Sequence, residues 1–318
     1  MRFHSLLARG FFLIAMVTTV AHGATERELV RDPHFGGGFN LLAPAPGKRV
    51  VYGELRGLNP GRPLWDLAQW SSRFPLQLTN FAVTKEGIIS SNQAKCVLAG
   101  APGSSAADLA LAVNAGTEYP RARKSTSEPW VHLLVQQDLA NPPPLGDLAA
   151  CKFHLEARLK RSSLVSSNDY NPAVHAAQFL VYLTVGNRNP KSDGYQECFW
   201  FGIPVYDNRN PIIPAYEAQD FGDTKLFIFT PSSAAFANQS THGGEWVTFE
   251  KDLLPLMRQS LEHAKQKGFI KRSSELSDYR PLGIFIGWEV PGTFDVDLQI
   301  RNLSLKTLGH PGTVGSGL

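Results

Sequence analysis

The sequence has 318 residues, 43% of them hydrophobic and 19% charged, with 28 Gly, 22 Pro and 3 Cys. There is enough apolar material for a sizeable core, which excludes a disordered chain, and the Gly and Pro are scattered rather than periodic, which excludes collagen. A net charge of +3 lacks the electrostatic footprint of a nucleic-acid binder, so no nucleic-acid partner is expected.

The amino terminus sets an expectation about compartment. Arg2, His4 and Arg9 precede an apolar run over 11–20, and Ala21-His22-Gly23 supplies the small residues that a signal peptidase reads. The run is about half the roughly twenty residues that a helix needs to span a bilayer, so 1–23 reads as a signal peptide. The mature chain is then expected to be secreted or periplasmic, soluble and without a membrane partner. Losing Arg2 and Arg9 takes its charge from +3 to +1.

Strand candidates follow at 131–136, 151–160, 178–185, 198–206, 225–230, 245–250, 283–290 and 294–301. In 151–160, Cys151, Phe153, Leu155, Ala157 and Leu159 alternate with Lys152, His154, Glu156, Arg158 and Lys160, the period-two pattern of a half-buried strand. Phe294, Val296, Leu298 and Ile300 alternate with polar residues in the same way. The segments FLVYLTV and CFWFGIPV are apolar on both faces and need cover on both sides. One amphipathic helix is expected over 252–268, with Pro255 in its first turn and Gly268 at its stop. A single helix among many strands does not build a parallel α/β fold. The expected fold is all-β: an antiparallel two-sheet sandwich formed by one domain over 24–308, followed by a flexible Gly-rich tail at 309–318. Cys96, Cys151 and Cys198 are an odd set without zinc-site spacing and read first as small buried hydrophobes, although one pair could bridge.

The ending GWEVPGTFDVDLQIRNLSL and the opening LVRDPHFGGGFNLL resemble the last and first strands of secreted jelly-roll domains of the concanavalin A-like and galactose-binding-like kind. The resemblance implies pairing between first and last strands. It also implies a polysaccharide or oligosaccharide partner, cleaved by hydrolysis or lyase elimination; no cofactor is expected, although loop carboxylates could hold a structural calcium, as in many sandwiches of this kind. A superfold does not fix function. A non-catalytic carbohydrate-binding protein and a structural surface protein remain alternatives.

Sugar rings present apolar C–H faces rimmed by hydroxyls, so a glycan site needs aromatic platforms beside polar groups. Trp65 and Trp70 flank Asp66 and Gln69, Trp200 precedes Tyr206 and Asp207, Trp246 adjoins Glu245, and Trp288 adjoins Glu289. Each could equally fill a core. The stretch from His175 to Arg209 stands out, because a Tyr or His beside an Arg suits proton abstraction next to a neutralised uronate. Hydrolysis instead needs two carboxylates, for which Asp207, Asp220, Glu245 and Glu289 are candidates. The expected catalytic residues are Glu245, His242, Tyr182 and Arg209, with Trp200, Asp207, Trp246, His175 and Gln178 binding substrate. The sequence carries no metal-protease, nucleophile-elbow or phosphate-loop motif.

Overall fold

The computed structural model describes residues 26–45, 49–101, 107–166, 168–220, 222 and 224–310. The expected signal peptide and residues 311–318 lie outside them. Seventeen strands are described: β1 (Glu26–Glu28), β2 (Gly38–Leu42), β3 (Val51–Arg56), β4 (Trp65–Ala68), β5 (Phe81–Thr84), β6 (Gly87–Ser91), β7 (Lys95–Gly100), β8 (Leu109–Asn114) and β9 (Val131–Asp138) in the first half. The second half supplies β10 (Leu148–Leu164), β11 (Gln178–Asn187), β12 (Cys198–Asp207), β13 (Tyr216–Gln219), β14 (Phe227–Thr230), β15 (Val247–Asp252), β16 (Tyr279–Val290) and β17 (Phe294–Gly309). The short α1 (Ala115–Glu118) and the longer α2 (Leu254–Gln266) are the α-helices.

The strands form two sheets. The eight-stranded sheet runs β15-β10-β17-β8-β7-β6-β5, with β1 also paired to β17, and the nine-stranded sheet runs β13-β14-β12-β11-β16-β9-β4-β2-β3. Period-two alternation decides which side chains meet between them. From β10, Cys151, Phe153, Leu155 and Ala157 enter one continuous core with Phe179, Val181 and Leu183 of β11 and Phe199 and Phe201 of β12, all fully buried. Lys152 and Lys160 of β10 stay in solvent. All three cysteines are free thiols, and burial pushes that of Cys151 up to about 12.

The sandwich is mostly antiparallel, with β2 paired to β4 and β12 to β14 in parallel. In each case the chain goes out and back through an intervening strand, β3 or β13, before rejoining, so it returns in its original direction. The helix begins two residues later than expected, because Asp252 still closes β15. Leu254, Met257, Leu261 and Ala264 form its buried stripe. Gly309 belongs to β17, where it pairs with Leu148, rather than to a loose tail. First and last strands do pair: Glu26 lies opposite Leu308, and the Leu29 N–H donates to the Leu305 carbonyl at 2.9 Å. The GFNLL part of the opening segment, however, is β2 of the other sheet.

Candidate functional site

The outer face of the nine-stranded sheet carries the polar and aromatic side chains that the core excludes. On β11 this face presents Gln178, Leu180, Tyr182 and Thr184, because Phe179, Val181 and Leu183 point inward. Strand registers then extend it sideways. Asp207, Gln178, Glu289 and His132 are successive partners across β12, β11, β16 and β9. Four residues further along β11, Gly202, Tyr182, Phe285, Gln136, Asp66 and Asn40 make a second row. Between the rows lies an apolar strip of Leu180, Gly287, Leu134 and Ala68.

Glu289 and His132 form the ionisable centre of the first row. The Trp130 indole N–H donates to Glu289 Oε2 at 3.0 Å, and His132 Nε2 lies 3.7 Å from the same oxygen. His132 Nδ1 meets the Trp130 carbonyl at 2.9 Å. A carbonyl only accepts, so Nδ1 carries a proton and Nε2 is the nitrogen that faces the carboxylate. Burial holds the His132 pKa below the usual histidine value, and the charges of Glu289 and Asp220 oppose that shift. Burial raises the Tyr182 phenol, and the same two carboxylates raise it further.

Aromatic rings flank this centre. Trp70 and Trp130 lie 5.5 and 5.3 Å from the His132 ring. Trp70 also packs on Leu42, Ala68 and Leu134 of the outer face. Farther along the sheet Trp200 stands 4.9 Å from Phe285 and 6.0 Å from Tyr182. The Trp200 indole donates to Thr224 Oγ1 at 3.2 Å, and that hydroxyl donates in turn to Asp220. Trp70, Trp130, Trp200, Tyr182 and Phe285 are all partly exposed.

The expected site residues fall in different places. Tyr182 and Trp200 share this face. So do Gln178 and Asp207, but Asp207 is taken up locally: it accepts from Gln178 Nε2 at 2.8 Å and from Arg209 Nε and Nη2 at 2.8 and 2.6 Å. Arg209 is thereby committed to a carboxylate. His175 is 3% exposed and spends its ring nitrogens on the Arg123 carbonyl at 2.7 Å and the Asn171 N–H at 3.0 Å. His242 leans on the Tyr206 ring at 4.7 Å. Glu245 and Trp246 precede β15 of the other sheet, where Trp246 sits by Arg158 and Arg301 at 4.8 and 4.1 Å on the opposite outer surface. The structure does not bring them to Tyr182.

His132 and Trp130 are not legible as site residues in the sequence. The available signal is a histidine at an outward position of a strand, preceded by an indole. Glu289 and Asp220 are legible as candidate carboxylates. Among the described residues no group of three or more His, Cys, Asp or Glu side chains is arranged to hold a metal.

Buried polar contacts back the site. Lys95 and Glu118 form a fully buried ion pair, and Glu118 accepts from the Ser72 hydroxyl at 2.9 Å and the Arg73 N–H at 2.7 Å, which fixes the turn after Trp70. The Tyr119 hydroxyl donates to the Val290 carbonyl at 2.7 Å and accepts from the Val131 N–H at 2.9 Å, stitching β16 to β9 beside Glu289.

Fold and face together define a two-sheet β-sandwich with an open, aromatic-lined and acid-bearing sheet surface. No family model and no curated protein matches the sequence. Among solved structures, the chain is similar to an endoglucanase from Rhodothermus marinus, at 10% identity over 71% of this chain and 93% of that one, with a TM-score of 0.39. It is similar to the family 11 xylanase from Neocallimastix patriciarum, at 10% identity over 74% and 97% of the two chains and a TM-score of 0.39. A family 12 xyloglucanase from Bacillus licheniformis shows 12% identity over 72% and 97%, again at 0.39.

Proposed function

We propose that this protein is a glycoside hydrolase acting on a neutral polysaccharide laid along the outer face of the nine-stranded sheet. The carrying observation is that Glu289, held by the Trp130 indole, and Asp220, tied through the Thr224 hydroxyl to Trp200 beside Tyr182, are carboxylates bound to partly exposed indoles of one sheet face. Two carboxylates about one bond are the requirement of glycoside hydrolysis, one giving a proton to the leaving oxygen and the other attacking or activating water. Trp200 with Phe285 on one side, and Trp70 with Trp130 on the other, offer apolar surfaces for sugar C–H faces.

The charge balance favours hydrolysis over lyase chemistry. A lyase needs a cation to neutralise a uronate, yet Arg209 is held by Asp207, and Arg49 is held by Asp66 at 2.6 and 2.8 Å. Glu289 and Asp220 would repel an acidic chain.

The test is incubation of the purified chain with neutral and uronate-containing polysaccharides, following reducing ends and the absorbance of unsaturated products. New reducing ends from a neutral polymer without unsaturated products support the proposal. Binding without cleavage overturns it in favour of a carbohydrate-binding protein. Export, supported by the basic start and the apolar run at 11–20, is tested by fusing 1–23 to a reporter and locating it.

A further inference from the structure

Arg123 belongs to no strand, yet it is only 6% exposed. It lies in the connection from α1 to β9, and its hydrogen bonds all go to backbone carbonyls. Nε and Nη2 donate to Glu128 O at 3.0 and 2.6 Å, Nη2 also donates to Thr126 O at 3.1 Å, and Nη1 donates to Val174 O at 3.1 Å and Pro291 O at 3.3 Å. Its guanidinium carbon stands 5.4 Å from the centre of the Trp130 ring.

Burying a guanidinium among neutral carbonyls is expensive, because none of them returns the Coulomb attraction of a carboxylate. What the arrangement secures is position. Pro291 follows Glu289 by two residues, and the bonds to Thr126 and Glu128 shape the loop that ends in Trp130. One planar fork therefore ties the strand end bearing the acid to the loop bearing the indole that donates to it.

We infer that Arg123 is a positioning residue for Glu289, acting through the Trp130 indole N–H. It touches no reacting atom. Its removal frees Trp130 from the strand end and leaves the Glu289 carboxylate unanchored on that side. The inference rests on Glu289 being a catalytic carboxylate, but its first test does not.

That test follows the Trp130 indole proton of the full mature chain by NMR, with the resonance assigned through Trp130→Phe. In the unsubstituted protein the resonance lies downfield, as expected of an indole N–H donating to a carboxylate, and Glu289→Gln moves it upfield. Gln178 and His132 flank Glu289 in the register, so a His132→Gln background separates the histidine contribution. Arg123→Ala is expected to move the resonance upfield in the same way. Guanidinium ion, added below the concentration that unfolds the protein, is expected to restore the downfield position by occupying the space that the Arg123 side chain leaves. Arg123→Lys keeps the charge without the fork and serves where the alanine variant fails to fold; it too is expected to lose the downfield position. A resonance that keeps its unsubstituted position in the Arg123 variants overturns the inference.

In turnover, Arg123→Lys and Trp130→Phe should each lower kcat/KM by about tenfold, and the double variant should be no worse than the weaker single. Fully additive losses overturn the inference. If the unsubstituted protein cleaves nothing while the indole behaves as expected, the hydrolase proposal fails and the positioning role stands.

Discussion

Glu289 of β16 lies directly opposite His132 of β9 in the register, with 3.7 Å between carboxylate and imidazole, and the indole N–H of Trp130 reaches the same carboxylate oxygen at 3.0 Å. The relationship is non-local: 157 residues separate the pair, and the sheet register alone makes them neighbours. Its consequences reach stability as well as chemistry.

The first concerns pH. Burial keeps the His132 value below 6.5 in the folded chain. As pH falls through that value the unfolded chain takes up a proton that the folded chain refuses, so stability is full above it and lost as pH falls toward the lower folded value. The melting temperature should therefore drop between about pH 7 and pH 5, and His132→Gln should show a smaller drop. His242, also lowered by burial, contributes with the same sign and remains in the variant. Equal slopes in thermal melts of the two proteins would contradict this role.

The two tryptophans that the sequence marks as substrate-binding should behave differently. Trp200→Ala removes a ring from the proposed glycan surface and should weaken oligosaccharide binding by about tenfold. Trp246→Ala, on the opposite outer surface between Arg158 and Arg301, should leave it unchanged. Titration calorimetry with a cleavage-deficient protein distinguishes them.

Glu118 should be a strong determinant of stability. Its side chain and that of Lys95 are both 0% exposed, so Glu118→Ala strands a buried ammonium and should cost about 3–5 kcal/mol in denaturant unfolding. Lys95→Met combined with Glu118→Leu should recover much of that loss, because no charge is then left unpaired.

Gly202 is needed for its lack of a side chain. A Cβ there would come within 2.9 Å of the Tyr182 ring and meet the Thr230 hydroxyl. Gly202→Ala should destabilise by about 1–3 kcal/mol and displace Tyr182, which a lowered Tm and a changed near-UV circular dichroism spectrum would register.

The fold was legible wherever side chains alternate strongly. The segments 151–160 and 294–301 lie within β10 and β17, where large apolar residues alternate with charged ones. Strands β3 to β8 are less legible because sequences such as KCVLAG and LALAVN use small residues whose strand preference is weak. The same contrast governs the site. Tyr182, Trp200 and Glu289 sit on strands readable from their own residues. Glu245 and Trp246 read as equally good candidates because they follow a Gly-rich turn, but local sequence does not say which sheet a strand joins. The pairing of Glu289 with His132 depends on register between distant segments, to which no single window is sensitive.

The most direct measurement is the rate of neutral-polysaccharide cleavage by the unsubstituted protein, Glu289→Gln and Asp220→Asn, with binding of the same polymer measured in parallel. The expected result is cleavage by the unsubstituted protein and a loss of about 100-fold to 10,000-fold in each variant while binding persists. Undiminished cleavage by Glu289→Gln or Asp220→Asn would contradict the assignment of these two carboxylates.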